Sequence, residues 1–368
     1  AYYHGKPRAA VRPPWDGGFS WQQDDRGEAW ISTSNQGLGA SVWWPNKDLP
    51  AEEPDSQRIA ITVPDPLVNV SNGRLRSKTP NGDGTTTWEW FVTSPINNYG
   101  ISVNAGRYSH WTEEYEGEAG MLTLDYWPLE QHMGDARRQW AQVRPMMGCF
   151  EYWFGPYPFY EDGFKLVEAP YLGMEHQSAI TYGNGFQNGY LGTDLSDTGR
   201  GLEWDFIFIL ESAHDWWANS VTAKDNADLW VHECFANYSE ILYTECLSGD
   251  PDAGADYVIG TRSRIANDRP IVGSYGVNDS GSGDKYYKGG NMLHTIRQLV
   301  DDDERWRSVL RGIGSEFRHQ TVAGGQVEAY ITRHSGVELG LVFDQYLRTN
   351  RVPVLEYERS GTTLSYRW

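Results

Sequence analysis

The chain has little sulfur, little positive charge and no long apolar run. Only three of its 368 residues are cysteines, Cys149, Cys234 and Cys246. So sparse and odd a set predicts neither a disulfide framework nor a C-x-x-C metal pair. It also leaves the compartment open, with a periplasmic or secreted bacterial setting as the favoured expectation. Lysine and arginine number 31 against 50 aspartates and glutamates, a net charge of −19. Phosphate backbones and anionic membranes demand clustered cations, so nucleic acid is excluded as the main partner. No stretch approaches the roughly 18 apolar residues a membrane span requires. Phosphate-binding glycine loops are missing too, and PNGDG and SGSGD read as turns. There is no internal repeat and no low-complexity linker. The opening AYYHGKPRAA has neither an initiator methionine nor a signal peptide, so a processed or incomplete start is expected.

What is present is an ordinary globular composition, 39% apolar and 14% aromatic, at a length that accommodates two or three domains. Residues 1–110 read as β-structure: EAWISTS, RIAITVP, TTTWEWFVT and YGISVNAG alternate or are rich in β-branched and aromatic residues, separated by turn clusters. The middle, from about 130 to 350, reads mainly as helix, interrupted by one strand in FKLVEAPYLG. The tail 351–368 reads as two strands around ERSG, too little to stand alone. The fold class is therefore α+β and multidomain. The 17 tryptophans suit a glycan-binding β-protein, but scattered aromatics need no special function.

The chemistry centres on EWDFIFILESAHDWWANSVT. On a helix Leu210 and His214 stand four apart on one face, with Glu211 beside them. A zinc-peptidase helix has histidines at both positions of H-E-x-x-H, with the glutamate as general base. Glu211 and His214 alone are an ordinary helical pair. Glu233 follows His214 after a gap of 18 residues, enough for a loop and a second, antiparallel helix to deliver a carboxylate. Two histidines and a glutamate, with one position left for water, are one hydrolytic zinc set. Trp216, Trp217 and Trp230 are expected to pack these two helices together.

Around these positions the chain resembles the aminopeptidase N-like family of zinc peptidases, the gluzincins that include leukotriene hydrolase. The family reads H-E-x-x-H, 18 residues, then N-E-G-F-A; this chain reads L-E-S-A-H, 18 residues, then H-E-C-F-A. WWANSVT and Asp228-Leu229-Trp230 are similar to its W-F-G-N-x-V-T and D-L-W. LGMEHQSAITY stands where the family has G-A-M-E-N, with Gly173, Met174 and Glu175 kept in kind and His176 in place of asparagine. KYYKGG stands where it has Y-x-K-G, which selects Tyr286, with Tyr287 the weaker candidate. The resemblance implies the rear of a saddle-like β domain over 1–110, a thermolysin-like catalytic domain over 111–350, and the first strands of an incomplete β-sandwich over 351–368. It implies zinc as cofactor and peptides with a free N-terminus as substrates. It implies His214 and Glu233 as metal ligands, Glu211 as general base, Tyr286 as support for the oxyanion and Glu175 as partner of the α-amino group. Glu175 belongs to a substrate-binding group with Gly173, Met174 and His176.

Leu210 breaks this pattern, because leucine has no lone pair to give a metal. Disturbing even a residue behind the ligands costs about 10–100-fold in affinity or activity, so losing a ligand costs more. His232 adjoins Glu233 but points about 100° away from it around the helix. His176 is read as a hydrogen-bonded substitute for asparagine. The expectation is a zinc aminopeptidase disabled at the metal; the alternative is a non-catalytic relative that binds peptide N-termini or acts as a scaffold. One ligand lost with every other group kept points to a recent or deliberate change.

Overall fold

The computed structural model describes residues 1–367. Seven strands occupy the first part: β1 Gly18–Gln23, β2 Ala29–Ser34, β3 Gln57–Pro64, β4 Val68–Val70, β5 Arg74–Pro80, β6 Thr85–Val92 and β7 Asn104–Gly106. They form two sheets, ordered β1-β2-β7-β4 and β3-β6-β5. The period-two pattern of TTTWEWFV sets the inner face of β6, burying Thr86, Trp88, Trp90 and Val92. These pack with Ile59, Val63 and Val70, each large side chain worth about 1.5–3 kcal/mol on burial. Val167, from the middle of the chain, shares this core and so fastens the β part to the central sheet.

That central sheet is five-stranded and mixed, built from β8 Trp111–Gly117, β9 Gly120–Trp127, β10 Phe164–Glu168, β11 Gly173–Met174 and β12 Ile180–Tyr182. Its order is β11-β12-β10-β9-β8, with β10 parallel to both β9 and β12 and the outer strands antiparallel. The single strand expected from FKLVEAPYLG is thus three. The extra two have two and three residues, too short to display a period. Two helices, α1 Met133–Gln139 and α2 Val143–Phe154, lie between β9 and β10.

The rest is helical: α3 Phe206–Ala213, α4 Trp230–Ser248, α5 Pro251–Gly260, α6 Tyr287–Val300, α7 Asp303–Glu316, α8 Gly324–Ser335 and α9 Gly340–Leu347. The parallel pair β13 Val221–Ala223 and β14 Gln320–Val322 crosses between them. Helix α4 is the axis, touched by α2, α3, α5 and α6 and buried over nearly its whole length. Trp217 stacks on Phe235 at 4.5 Å, which packs the turn after α3 onto α4 as expected of the tryptophans. The tail is a hairpin, β15 Glu356–Ser360 with β16 Thr363–Arg367, exposed at every residue. No helix among the described residues is long and apolar enough to cross a membrane.

The cysteine reading needs correction. Cys149 on α2 and Cys246 near the end of α4 form a disulfide, with Cα atoms 6.0 Å apart. Their 97-residue separation makes the pairing a product of helix packing that cysteine spacing cannot show. Cys234 is free and buried.

Candidate active site

Asp205 starts α3. Its carboxylate accepts the Ile207 and Phe208 N–H groups, satisfying donors that a helix start leaves orphaned. Tyr182, Gln139 and Asn184 donate to the same carboxylate. Burial nevertheless lifts the Asp205 pKa to about 6. Every residue of α3 is buried, including Leu210 and Glu211.

The helix is shorter than the sequence pattern suggests. It ends at Ala213, and Asp215–Ser220 form a wider turn in which Trp217 takes the non-helical φ −116°, ψ 62°. The Asp215 carboxylate is held by the Tyr157 hydroxyl at 2.8 Å and the Asn219 amide at 3.0 Å, side-chain bonds that compete with a helical backbone. His214 sits at the break, where its Nδ1 donates to the Trp217 carbonyl at 3.0 Å. That bond occupies Nδ1 and leaves Nε2 facing Glu233 on α4, 3.3 Å from Oε2. The approach lacks hydrogen-bond alignment, and Glu233 Oε2 is a buried oxygen with no hydrogen-bond partner.

Glu175 follows β11. Gln36 Nε2 donates to its Oε1 at 2.6 Å and the Tyr99 hydroxyl to the same oxygen at 3.0 Å. Asn219 holds its backbone carbonyl at 2.8 Å. Gly173 allows the strand to lie against α3: a Cβ there would come within 2.4 Å of Ile207 and 3.2 Å of Glu211 Oε1. Met174 is buried with Tyr99, Ala169 and Tyr171. His176 is fully buried, its Nδ1 3.2 Å from Thr181 Oγ1 and its Nε2 unpartnered. Tyr286 caps α6, and its hydroxyl pKa is raised by burial and then by Glu233, Glu175 and Glu211. Tyr287 instead feels Glu240.

Three buried carboxylates and one imidazole therefore share a small volume. Burial raises Glu211 well above the usual carboxylate range, and the charge of Glu175 adds to it. Glu175 is raised as well, by burial first. Burial opposes charging His214, but Glu233, then Glu175 and Glu211, push it up to about 10. Glu233 is held low despite its burial, with the His214 charge the leading cause. The pattern is an imidazolium neutralising one carboxylate of three.

Sequence reasoning missed Gln36 and Tyr99. They lie 139 and 76 residues from Glu175; Gln36 falls in no motif, and Tyr99 opens YGISVNAG, which reads only as a β run. Pairing at that range leaves no local signal.

Comparison with known proteins decides the family. The model of the peptidase family M1 domain matches residues 142–346, more than half of the chain. The chain belongs to peptidase family M1. Similar curated proteins include leucyl aminopeptidase of Saccharolobus solfataricus, 22% identical over 91% of this chain and 43% of that protein. Tricorn protease-interacting factor F2 of Thermoplasma acidophilum is 22% identical over 90% of this chain and 42% of its own length. The chain thus spans under half the length of these relatives. Among solved structures, an M1 zinc metallopeptidase from Deinococcus radiodurans superposes with a TM-score of 0.74 at 20% identity, covering 95% of this chain and 75% of that one. Another, from the same organism and bound to a Tyr-Ser-Ala substrate, gives 0.75 at 18% identity, covering 95% and 76%. The β-rich first part and helical second part match these M1 folds.

M1 membership implies zinc, and the donor set can be tested against it. His214 Nε2 and the bare Glu233 Oε2 suit a metal between α3 and α4. The position four before His214, where the family pattern leads one to expect a third ligand, holds Leu210. His232 does not replace it, since its Nε2 accepts the Ala223 N–H at 2.7 Å. Among the described residues no group of three or more His, Cys, Asp or Glu side chains could hold a metal ion. Two protein ligands fall short of the three a hydrolytic zinc site uses, so the residues present do not fit the ion.

Proposed function

We propose that this chain binds peptides by their free N-terminus on an aminopeptidase scaffold whose hydrolytic chemistry is disabled at Leu210. The observation that carries the reading is the contrast around one buried carboxylate and one missing ligand. Glu175 has two donors on Oε1, which fix the carboxylate and leave Oε2 for an incoming α-ammonium. An acidic, buried site selects a cation and disfavours a blocked N-terminus. With a histidine at 210 restoring the metal, Glu211 would be the proton acceptor and Tyr286 the hydroxyl beside the scissile carbonyl. His214 and Glu233 are proposed as the remaining ligand pair. The names of the relatives support the substrate class, since several are aminopeptidases. A periplasmic or secreted location is proposed too, supported by the Cys149–Cys246 bridge, because such bonds persist in oxidising compartments.

The test is calorimetric binding of one tetrapeptide in free and N-acetylated forms. The free peptide is expected to bind, and Glu175→Gln to weaken it about 10–100-fold, the range for a lost charge-assisted hydrogen bond. Equal affinity for the acetylated peptide would reject the reading, and so would steady hydrolysis by the unaltered chain.

A further inference from the structure

Glu175 is 3% exposed, and Gln36 and Tyr99 hold it from the β part. A peptide N-terminus reaches it only when some part of the surrounding wall gives way. The deep seam between the β part and the rest of the molecule is poorly suited to that. Asn72 donates to the Gln177 carbonyl at 2.7 Å, the Gly73 N–H to Ser178 Oγ at 2.9 Å and Asn97 to Asn219 Oδ1 at 3.3 Å. All three bonds are buried, so parting the seam would strand their polar groups without partners.

The rim is different. Residues 273–283 form a loop between α5 and α6, and its Gly276, Val277 and Asn278 line one cavity together with Gln36 and Tyr99. Tyr275 and Val277 are 60% and 58% exposed, so little apolar burial holds this loop down. Its root is fastened to the segment that leads into α4. The Gly273 N–H donates to the Ala227 carbonyl at 3.1 Å, the Tyr275 hydroxyl to Asp228 at 2.8 Å and the Gly276 N–H to Asp225 at 2.9 Å. To the β part the loop makes one hydrogen bond among the described residues. Asn278 Nδ2 donates to the Gly37 carbonyl at 3.0 Å, one residue from Gln36. Asn226 donates to Asn278 Oδ1 at 2.9 Å, which orients the amide for that bond.

We propose that the tip of this loop is a gate at the mouth of the Glu175 site, latched by the bond from Asn278 to the Gly37 carbonyl and released when a peptide enters or leaves. This rests on Glu175 holding the free N-terminus. One exposed hydrogen bond favours the closed form by about two- to tenfold. A peptide that binds only the open form is slowed on entry by that factor, and on exit once the latch has re-formed behind it. The latch therefore sets the rates and leaves the affinity nearly alone.

The test is stopped-flow mixing of the full chain with Leu-Ala-Ala-Lys carrying a dansyl group on its lysine side chain, in free and N-acetylated forms. Asn278→Ala is expected to raise the association and dissociation rates of the free peptide together, by about two- to tenfold, with Kd changed by less than about twofold. Asn278→Leu, which keeps the size but cannot donate, should do the same. Asn226→Ala should act in the same direction by a smaller factor, because it removes only the group that orients the amide. Asn278 is exposed, so thermal unfolding should stay where it is in its two variants. Faster association is the deciding sign. Association unchanged or slowed in both Asn278 variants overturns the gate and leaves the N-terminus reading intact, provided the acetylated peptide binds weakly. Faster dissociation alone, with Kd weakened to match, makes Asn278 a peptide contact or a prop for Gln36 and overturns the gate as well. Acetylated and free peptides binding alike overturns the reading beneath it, and no binding by either peptide overturns both.

Discussion

The two halves of the cleft are finished to different degrees. On one side Glu175 is gripped by Gln36 and Tyr99, with its backbone held by Asn219. On the other, His214 and Glu233 face each other at 3.3 Å with an unpartnered oxygen between them and Leu210 where a third donor belongs. A buried polar group without a partner is costly, and natural cores rarely keep one for nothing. The difference separates recognition from chemistry. The proposed recognition half has its carboxylate held by the chain's own donors, whereas the proposed metal half has two facing side chains and too few ligands.

The strongest way to break this contrast is Leu210→His. The substitution adds the missing lone pair on the face that carries His214, one turn away. Zinc affinity is expected to rise by more than about 100-fold, since even residues behind the ligands control 10–100-fold. Metal analysis after dialysis against a weak chelator should show near-stoichiometric zinc in the variant and none in the parent. Hydrolysis of an aminoacyl substrate should appear with it, and a second change, Glu211→Gln, should remove turnover while zinc stays. If Leu210→His remains metal-free, the metal half is misassigned.

A smaller break acts on the frame. The Cys149–Cys246 bond closes a loop of 97 residues and ties α4, the carrier of Glu233, to α2. Removing such a link typically costs about 2–4 kcal/mol. Cys149→Ser with Cys246→Ser should lower the unfolding midpoint by several degrees, with amide exchange rising first along α4 and little along β11. A reduced protein with unchanged stability would show that helix packing alone holds the metal half.

Legibility in the sequence divides along the same line. Glu211 and His214 in FIFILESAHDWWANS, Glu233 after its gap and Tyr286 could be singled out because their spacing and neighbours resemble a family pattern. Glu175 was readable because its neighbours carry a family pattern. Gln36 and Tyr99 were not, since they reach Glu175 only when the β part folds onto the helical part. The early end of α3 was hidden as well: its cause is Asp215 binding Tyr157, a partner 58 residues away. The disulfide escaped for the same reason. The two short strands β11 and β12 escaped because two or three residues cannot show a period. The alternating β6 and the tail hairpin, whose signals are local, were read correctly.

The finest probe is Tyr99→Phe, which removes one hydroxyl and leaves Gln36 in place. The Tyr99 hydroxyl donates to the ionised form of Glu175, and such a bond lowers a carboxyl pKa. Glu175 is already raised by burial, so losing that donor raises it further. Binding an ammonium needs the carboxylate. The sign is therefore fixed: the acid limb of the binding profile moves to higher pH in the variant, and affinity on the alkaline plateau falls less than at the acid end. With one donor remaining, the loss near neutral pH should be about tenfold or less, at the lower end for hydrogen bonds to charged groups. A structural role for Tyr99 would lower affinity by the same factor at every pH. A shifted acid limb with unchanged thermal unfolding would instead mark Tyr99 as the residue that keeps Glu175 ionised, and would show that the recognition half owes its readiness to a side chain contributed by the β part.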